Sequence, residues 1–163
     1  MKRKYWIVLI VFCLLLALDQ ASKFAIERSV PLYHSRGVIP GFFAITHVQN
    51  RGAAFGLLGN LPGAAIIFVI ISLIAIALIL TYLRQIKEGE LWTLLSLSLV
   101  LTGAVGNVID RFRLGGVVDF FDFYYQGWHW PAFNVADASI TIGVMLLALK
   151  ILRGGEKDAK EKH

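Results

Sequence analysis

Residues 64–83 have the sequence AAIIFVIISLIAIALILTYL, in which no side chain is charged. A helix needs about 20 predominantly apolar residues to cross the hydrocarbon core of a bilayer. This stretch alone meets that length, and it therefore predicts a membrane-spanning helix. The fold class then depends on whether similar stretches occur on either side of it.

Three more apolar stretches flank this helix. Residues 91–109 are uncharged and long enough by themselves, whereas residues 5–18 and 138–149 reach the required length with their flanking residues. The sequence therefore predicts an all-α integral membrane protein with four transmembrane helices in one domain. The predicted domain covers residues 1–163, and the predicted spans cover residues 5–26, 64–83, 91–111 and 134–152.

The composition supports this class. Hydrophobic residues make up 57% of the 163 residues and charged residues only 17%, below the roughly 25% that is usual for soluble proteins. Such a composition excludes a soluble enzyme, a nucleic-acid-binding domain and a disordered chain. The single cysteine, Cys13, excludes a disulfide scaffold, and it is predicted to be a small buried hydrophobe in the first span.

Basic residues predict the orientation of the spans. Ten of the 16 Lys and Arg residues lie before the first span, between the second and third spans, or after the fourth. By the positive-inside rule these regions and both termini are cytoplasmic, and residues 27–63 and 112–133 are outer segments. The net charge of +5 is explained in this way without a nucleic-acid partner.

The outer segments differ in composition. Residues 27–63 are rich in Pro and Gly, which disfavours a long helix, and a strand is predicted over residues 42–50. Residues 115–131 are rich in Phe, Tyr and Trp, which is typical of an interfacial aromatic belt. The charged tail, residues 154–163, is predicted to be disordered.

The sequence N-x-x-D occurs at the outer ends of two predicted spans, as Asn107 with Asp110 and as Asn134 with Asp137. Residues three apart share one face of a helix, so both pairs can face one cavity. Ionisable groups in a membrane are costly and are candidates for function. The alternative is that these residues only cap or end their helices.

Three further ionisable residues lie at the same level. Asp19 and Lys23 are four residues apart and can form an ion pair, which would be a structural role. Asp119 is flanked by Val and Phe side chains with no adjacent cation, so that burial would favour its neutral acid. Asp137, near a helix start, would instead favour its charged form. Two carboxyls with opposite preferences suggest an acid and base pair.

The same carboxylates could serve other functions. They could bind a divalent cation or relay protons in a small membrane carrier. A carrier typically places its ionisable groups near the middle of the membrane, whereas these groups lie along one edge and the other edge shows only basic residues expected to be solvated. The sequence contains no H-E-x-x-H, G-x-S-x-G or Walker A pattern, which disfavours a zinc protease, a serine hydrolase and a P-loop enzyme.

Four blocks of the sequence together resemble the bacterial lipoprotein signal peptidases, the type II signal peptidase family. The blocks are residues 19–23, N-R-G-A-A-F at 50–55, G-N-V-I-D-R at 106–111 followed by V-V-D-F at 117–120, and F-N-V-A-D at 133–137. They occur in the order and spacing of the family over nearly the whole chain. Asp122 lies close to Asp119, but only Asp119 matches the family position.

The resemblance implies an intramembrane aspartic endopeptidase that needs no metal ion or other cofactor. It would remove signal peptides from prolipoproteins by cleaving on the N-terminal side of the lipid-modified cysteine. Asp119 and Asp137 would be the catalytic pair. The residues implied to shape or support the site are Asn50, Asn107, Asp110, Arg111, Asn134, Asp19 and Lys23.

The resemblance also implies a setting for this site. A small extracytoplasmic β-sheet and a short outer interfacial helix would accompany the four spans. The protein is expected to be a monomer in the bacterial cytoplasmic (inner) membrane, in contact with membrane lipid, with its active site near the outer face. Its substrates would be diacylglyceryl-modified prolipoproteins.

The charge pattern yields a topology that a reporter can test. A reporter fused after His163 is expected to be cytoplasmic, and one inserted beside Gln126 is expected to lie outside, because the basic residues remain on the cytoplasmic face. The measurement is the activity of a reporter that works on only one side of the membrane. The opposite pattern would contradict the predicted orientation.

Overall fold

The computed structural model describes residues 2–52 and 63–160. Four helices in these ranges are long and apolar enough to cross a membrane, which confirms the predicted fold class. The helices are α1 (Arg3–Ser29), α2 (Ala64–Gln85), α3 (Leu91–Leu114) and α4 (Val135–Lys160), and the strands are β1 (Ser35–Ile39), β2 (Phe43–Asn50), β3 (Val117–Tyr125) and β4 (Trp128–His129).

Helix α3 lies at the centre of the bundle. In an apolar stretch of 18 residues in α3, 67% is buried inside the protein. The corresponding share is 11% for α1 and for α2 and 17% for α4. Small residues allow this packing, because a Cβ atom on Gly143 would lie 2.6 Å from the carbonyl oxygen of Ser96 in α3. A Cβ atom on Gly103 would likewise clash with the carbonyl oxygen of Ala136 in α4. The outer faces of the other helices remain apolar and exposed, as a lipid-facing surface requires.

The four strands form one antiparallel sheet in the order β1-β2-β3-β4. The observed β2 confirms the strand predicted over residues 42–50. Strand β3 begins just after α3, because Gly115 ends that helix with a left-handed conformation (φ 70°) and donates its N–H to the carbonyl of Arg111. In the register of the sheet, Val48 lies opposite Asp119. The sheet therefore places Asp119 directly beside the end of α3.

Lys4 ties the helices together at the opposite end of the bundle. Its ammonium group donates to the carbonyl oxygens of Leu83 (3.0 Å), Arg84 (3.1 Å) and Ile86 (2.6 Å) at the end of α2. These are the carbonyls that a helix end leaves without an internal partner. Lys4 is only 4% exposed, so the expectation that every basic residue at this end is solvated is wrong for Lys4.

Three other expectations need correction or stay open. Helix α4 continues to Lys160, whereas the sequence predicts a disordered tail from residue 154; the Lys, Glu and Ala residues of this stretch are good helix formers. Cys13 is exposed rather than buried, because it lies on the outer surface of α1.

No helix occurs at residues 30–52 or 115–134, and residues 53–62 and 161–163 lie outside the described residues. The short outer helix therefore remains a prediction, and so does the conformation of residues 161–163.

Candidate active site

Lys23 is the centre of a buried polar cluster at the outer end of the bundle. Its ammonium group lies 2.9 Å from a carboxylate oxygen of Asp19 and 2.8 Å from one of Asp110. It also donates to the side-chain oxygen of Asn107 at 3.2 Å. An ammonium has three protons to donate, and each of them has a partner here. Lys23 is 0% exposed, and the cluster joins α1 to α3.

Backbone groups and one amide complete the cluster. Asp19 accepts the N–H of Ala136 at 2.9 Å, at the first turn of α4, where free N–H groups favour a negative charge. Asp110 accepts the N–H of Val118 in β3 at 3.2 Å. Gln20 donates to both carboxylates, at 3.0 and 3.2 Å. The cluster therefore also fixes the starts of α4 and β3, which carry the two candidate catalytic residues.

Gly106 leaves the room that this cluster needs. A Cβ atom at this position would lie 2.5 Å from a carboxylate oxygen of Asp19. The backbone carbonyl of Gly106 also accepts a hydrogen bond from Gln20 at 3.3 Å. Any other side chain on this face of α3 would displace Asp19 from Lys23.

Asp137 is held at the start of α4 by a reciprocal pair of hydrogen bonds. The N–H of Asp137 donates to the side-chain oxygen of Asn134 at 2.9 Å, and the N–H of Asn134 donates to the carboxylate of Asp137 at 3.3 Å. This arrangement is a capping box built from Asn and Asp. The side chain of Asn107 donates to the other carboxylate oxygen of Asp137 at 2.8 Å. The helix-capping alternative is therefore correct for Asn134, and the same residue also belongs to the site.

Asp119 accepts hydrogen bonds from two amide side chains. Asn50 in β2 donates at 2.9 Å, and Asn134 donates at 2.7 Å. The side-chain oxygen of Asn50 in turn accepts the N–H of Gly52 at 3.0 Å, which fixes the orientation of its amide. Asn134 thus contacts both aspartates, because its oxygen caps α4 toward Asp137 while its nitrogen binds Asp119.

The environment of Asp119 favours the protonated acid. Its side chain lies almost wholly buried, with 2% exposed. Burial, followed by the negative charge of Asp137, raises the pKa of Asp119 to about 7, against the opposing effect of the hydrogen bonds from Asn50 and Asn134. The neutral acid that the sequence predicts for Asp119 is therefore favoured at and below neutral pH.

The two aspartates line one cavity of about 560 Å³ between the sheet, α3 and the first turns of α4. Arg111 lines it as well, donating to the carbonyl oxygens of Asn107 (3.3 Å) and Gly52 (3.4 Å). Its guanidinium lies 5.4 Å from the ring centre of Phe68 in α2. Of the predicted site residues, those that line the cavity are Asn50, Asn107, Arg111, Asp119 and Asp137. Those that lie behind it are Asp19, Lys23, Asp110 and Asn134.

Asp122 does not belong to this cavity. Successive side chains of a strand point to opposite faces, and Asp119 and Asp122 are three residues apart in β3. Asp122 instead binds the ring nitrogen Nδ1 of His129 at 2.8 Å. Of the two neighbouring aspartates, only Asp119 lies beside Asp137 in the cavity.

Some residues of the site were missed by the sequence analysis. Gln20 is an uncharged polar residue beside Asp19 within a span, and this was a usable signal. Phe68 and Trp130 gave no signal, because an aromatic residue in or near a span is ordinary. Among residues 2–52 and 63–160, no three His, Cys, Asp or Glu side chains are grouped so that they could hold a metal ion.

Four helices that can cross a membrane, with two carboxyl side chains in one cavity, are features of the intramembrane aspartic peptidases. Comparison with known proteins narrows this class. The family model described as signal peptidase (SPase) II matches residues 11–153. The chain therefore belongs to the signal peptidase II family, whose members are aspartic peptidases, and the resemblance found in the sequence is confirmed.

Individual relatives agree with this assignment over nearly their full lengths. The chain is 45% identical to the lipoprotein signal peptidase of Geobacter metallireducens, covering 99% of each chain. It is 39% identical to the lipoprotein signal peptidase of Pseudomonas aeruginosa, covering 97% of this chain and 92% of the relative. A solved bacterial membrane enzyme, determined by the in meso method at 2.3 Å resolution, has a TM-score of 0.82 and 35% identity. That similarity covers 92% of this chain and 90% of the enzyme.

The Lys23 cluster can be tested by removing its cation. Lys23→Met is expected to lower the free energy of unfolding by about 3 to 5 kcal/mol, because it leaves two buried carboxylates without their counter-ion. Lys150→Met is the matched control, since Lys150 forms a partly exposed ion pair with Glu90 and is expected to cost at most about 1 kcal/mol. Both are measured by unfolding in detergent micelles. Equal stability of the two variants would contradict the structural role of Lys23.

Proposed function

We propose that Asp119 and Asp137 are the catalytic pair with which this peptidase removes signal peptides from prolipoproteins. The observation that carries the proposal is that both carboxyls line one cavity and share Asn134 as a hydrogen-bond partner. One carboxyl can then act as the acid while the other acts as the base. No other pair of carboxyls lines this cavity among the described residues.

The reaction follows from the chemistry of such a pair. The ionised carboxylate takes a proton from water as the water oxygen attacks the peptide carbonyl carbon, and the protonated partner donates to the carbonyl oxygen. The resulting tetrahedral intermediate collapses when the C–N bond breaks: the nitrogen receives the proton that the first carboxyl took from water, and a hydroxyl of the intermediate returns a proton to the partner carboxylate. The products are the free signal peptide and the new amino terminus of the lipid-modified cysteine. No covalent intermediate with the protein is needed.

The walls of the cavity suggest how the peptide is held. Arg111 lines the cavity, and its guanidinium has five N–H donors, of which two bind the backbone carbonyls of Asn107 and Gly52. The side chain therefore has donors left for a peptide carbonyl of the substrate. Asn107 and Asn50 keep the two carboxylates oriented by donating one hydrogen bond to each. We assign these residues to binding and support rather than to proton transfer.

The position of the cavity fits a substrate that is itself anchored in the membrane. The cavity extends along α4 to Ile142, whose side chain is 51% exposed on the surface of the helix. We infer that the cavity is accessible from the side of the bundle, at the level of the bilayer. A signal helix can approach laterally, while the acyl chains on the substrate cysteine remain in lipid.

The setting of the enzyme is part of the proposal. The basic residues favour cytoplasmic termini for this multi-pass protein, which we place in the bacterial cytoplasmic (inner) membrane as a monomer in contact with membrane lipid. This orientation puts the aspartates at the outer face, where the lipid-modified cysteine of a prolipoprotein is found. The carrier alternative is disfavoured, because the chain belongs to the signal peptidase II family.

Removal of either carboxyl tests the assignment. Asp119→Asn and Asp137→Asn are each expected to lower prolipoprotein cleavage by at least about 100-fold, because the pair loses its acid or its base. Glu27→Gln is the matched control, since Glu27 pairs with Arg113 outside the cavity, and it is expected to cleave at the wild-type rate. Cleavage is measured on a diacylglyceryl-modified prolipoprotein with purified protein. Wild-type turnover by either Asp variant would rule out the pair.

The shared proton predicts a bell-shaped dependence of kcat/KM on pH. Protonation of both carboxyls at low pH removes the base, and ionisation of both at high pH removes the acid. Because the pKa of Asp119 is raised to about 7, activity is expected to fall as the pH rises through about 7. The measurement is initial cleavage rate at subsaturating substrate across the pH range. A rate that still rises with pH well above 7 would show that Asp119 does not supply the acid.

A further inference from the structure

One wall of the catalytic cavity is a short connection between β4 and α4, formed by residues 130–133. All four of its residues line the cavity, together with Asp119 and Asp137. It leads directly into Asn134, the residue that contacts both aspartates. Any movement of this wall therefore changes the space in which a peptide must lie.

The two ends of the wall, Trp130 at the near end and Phe133 at the far end, are held differently. At its far end, Phe133 exchanges backbone hydrogen bonds with Phe121 at 2.8 and 3.2 Å, and its ring packs against the rings of Phe121 and Phe123. At its near end, the N–H of Trp130 donates to the carbonyl of Phe123 at 2.8 Å. Strand β4, which precedes Trp130, has only two residues. The near end thus depends on how firmly β4 is attached to β3.

A hydrogen bond between two side chains attaches β4 to β3. Nδ1 of His129 lies 2.8 and 3.1 Å from the two carboxylate oxygens of Asp122. The imidazole also stacks on the Tyr124 ring, with ring centres 5.1 Å apart and an angle of 15°. Asp122 is 7% exposed, whereas the side chain of His129 is 55% exposed, so the hydrogen bond is shielded from water on the Asp122 side.

The hairpin between these strands is short. Gln126 and Gly127 form its two-residue turn, with φ values of 49° and 81°, as in the tight turns that join antiparallel strands. The strands pair at Tyr124 with His129 and at Tyr125 with Trp128, and the backbone bond from Trp130 to Phe123 extends this pairing. A hairpin this short depends on side-chain contacts for its stability.

We propose that Asp122 and His129 are positioning residues for substrate binding, because their pairing fixes the near end of the wall formed by residues 130–133. Asp122 then has a role distinct from that of its neighbour Asp119. It touches neither the substrate nor the reacting atoms, and acts by holding Trp130 at the rim of the cavity. This inference rests on the proposed function, and it names residues that the peptidase uses to bind its substrate.

Four variants separate the hydrogen bond from the rest of the hairpin. His129→Phe keeps a ring that can stack on Tyr124 but has no donor, and Asp122→Leu keeps the approximate shape but has no acceptor. His129→Asn keeps a donor near the position of Nδ1, and Asp122→Asn keeps an acceptor oxygen. Steady-state cleavage of a diacylglyceryl-modified prolipoprotein by full-length protein gives KM and kcat, and thermal unfolding shows that each variant is folded.

The Phe and Leu variants are expected to raise KM roughly threefold to tenfold, the range that corresponds to one net hydrogen bond, with kcat nearly unchanged. The two Asn variants are expected to restore KM toward the wild-type value. An unchanged KM in the Phe and Leu variants, a loss confined to kcat, or no rescue by Asn would each overturn the inference. Failure of the wild-type protein to cleave prolipoprotein would instead contradict the proposed function itself.

Discussion

The buried ammonium group of Lys23 is the interaction on which the rest of the site depends. It binds Asp19, Asp110 and Asn107 at distances of 2.9, 2.8 and 3.2 Å, and it is wholly buried. A buried charge is tolerated only when it is paired and fully hydrogen-bonded. Satisfying Lys23 therefore requires that α1 and α3 meet at one height and in one orientation.

That requirement extends to both catalytic candidates. The carboxylate of Asp19 also binds the first turn of α4, which begins two residues before Asp137, and the carboxylate of Asp110 binds the N–H of Val118, which precedes Asp119. The charged cluster thus sets the backbone that carries each aspartate, while Asn107 and Asn134 set their side chains. Structural and chemical roles are divided between two layers: the charged cluster and Asn134 lie behind the cavity, and the two aspartates lie in its wall with Asn50 and Asn107.

The sequence predicts the parts of this arrangement that depend on short-range patterns. Apolar length identifies the spans, the i to i+4 spacing identifies the pairing of Asp19 with Lys23, and the mixture of aromatic and β-branched residues identifies β2. The sequence does not show that Asp110 shares the same lysine, because this follows from the packing of α1 against α3. Nor does it show that Lys4 caps α2, since a terminal lysine is ordinarily solvated. Contacts between residues far apart in the chain need the fold.

The proposed mechanism uses two carboxyls and no metal ion to hydrolyse the peptide bond. The most direct measurement is cleavage of a diacylglyceryl-modified prolipoprotein by the purified protein with and without a strong metal chelator. A pair of aspartates that shares one proton predicts equal rates in the two conditions. A metal ion held by the same carboxylates would also be consistent with inactive Asp variants, but it predicts loss of activity with chelator and recovery when a divalent ion is added. That loss and recovery would contradict a metal-independent mechanism.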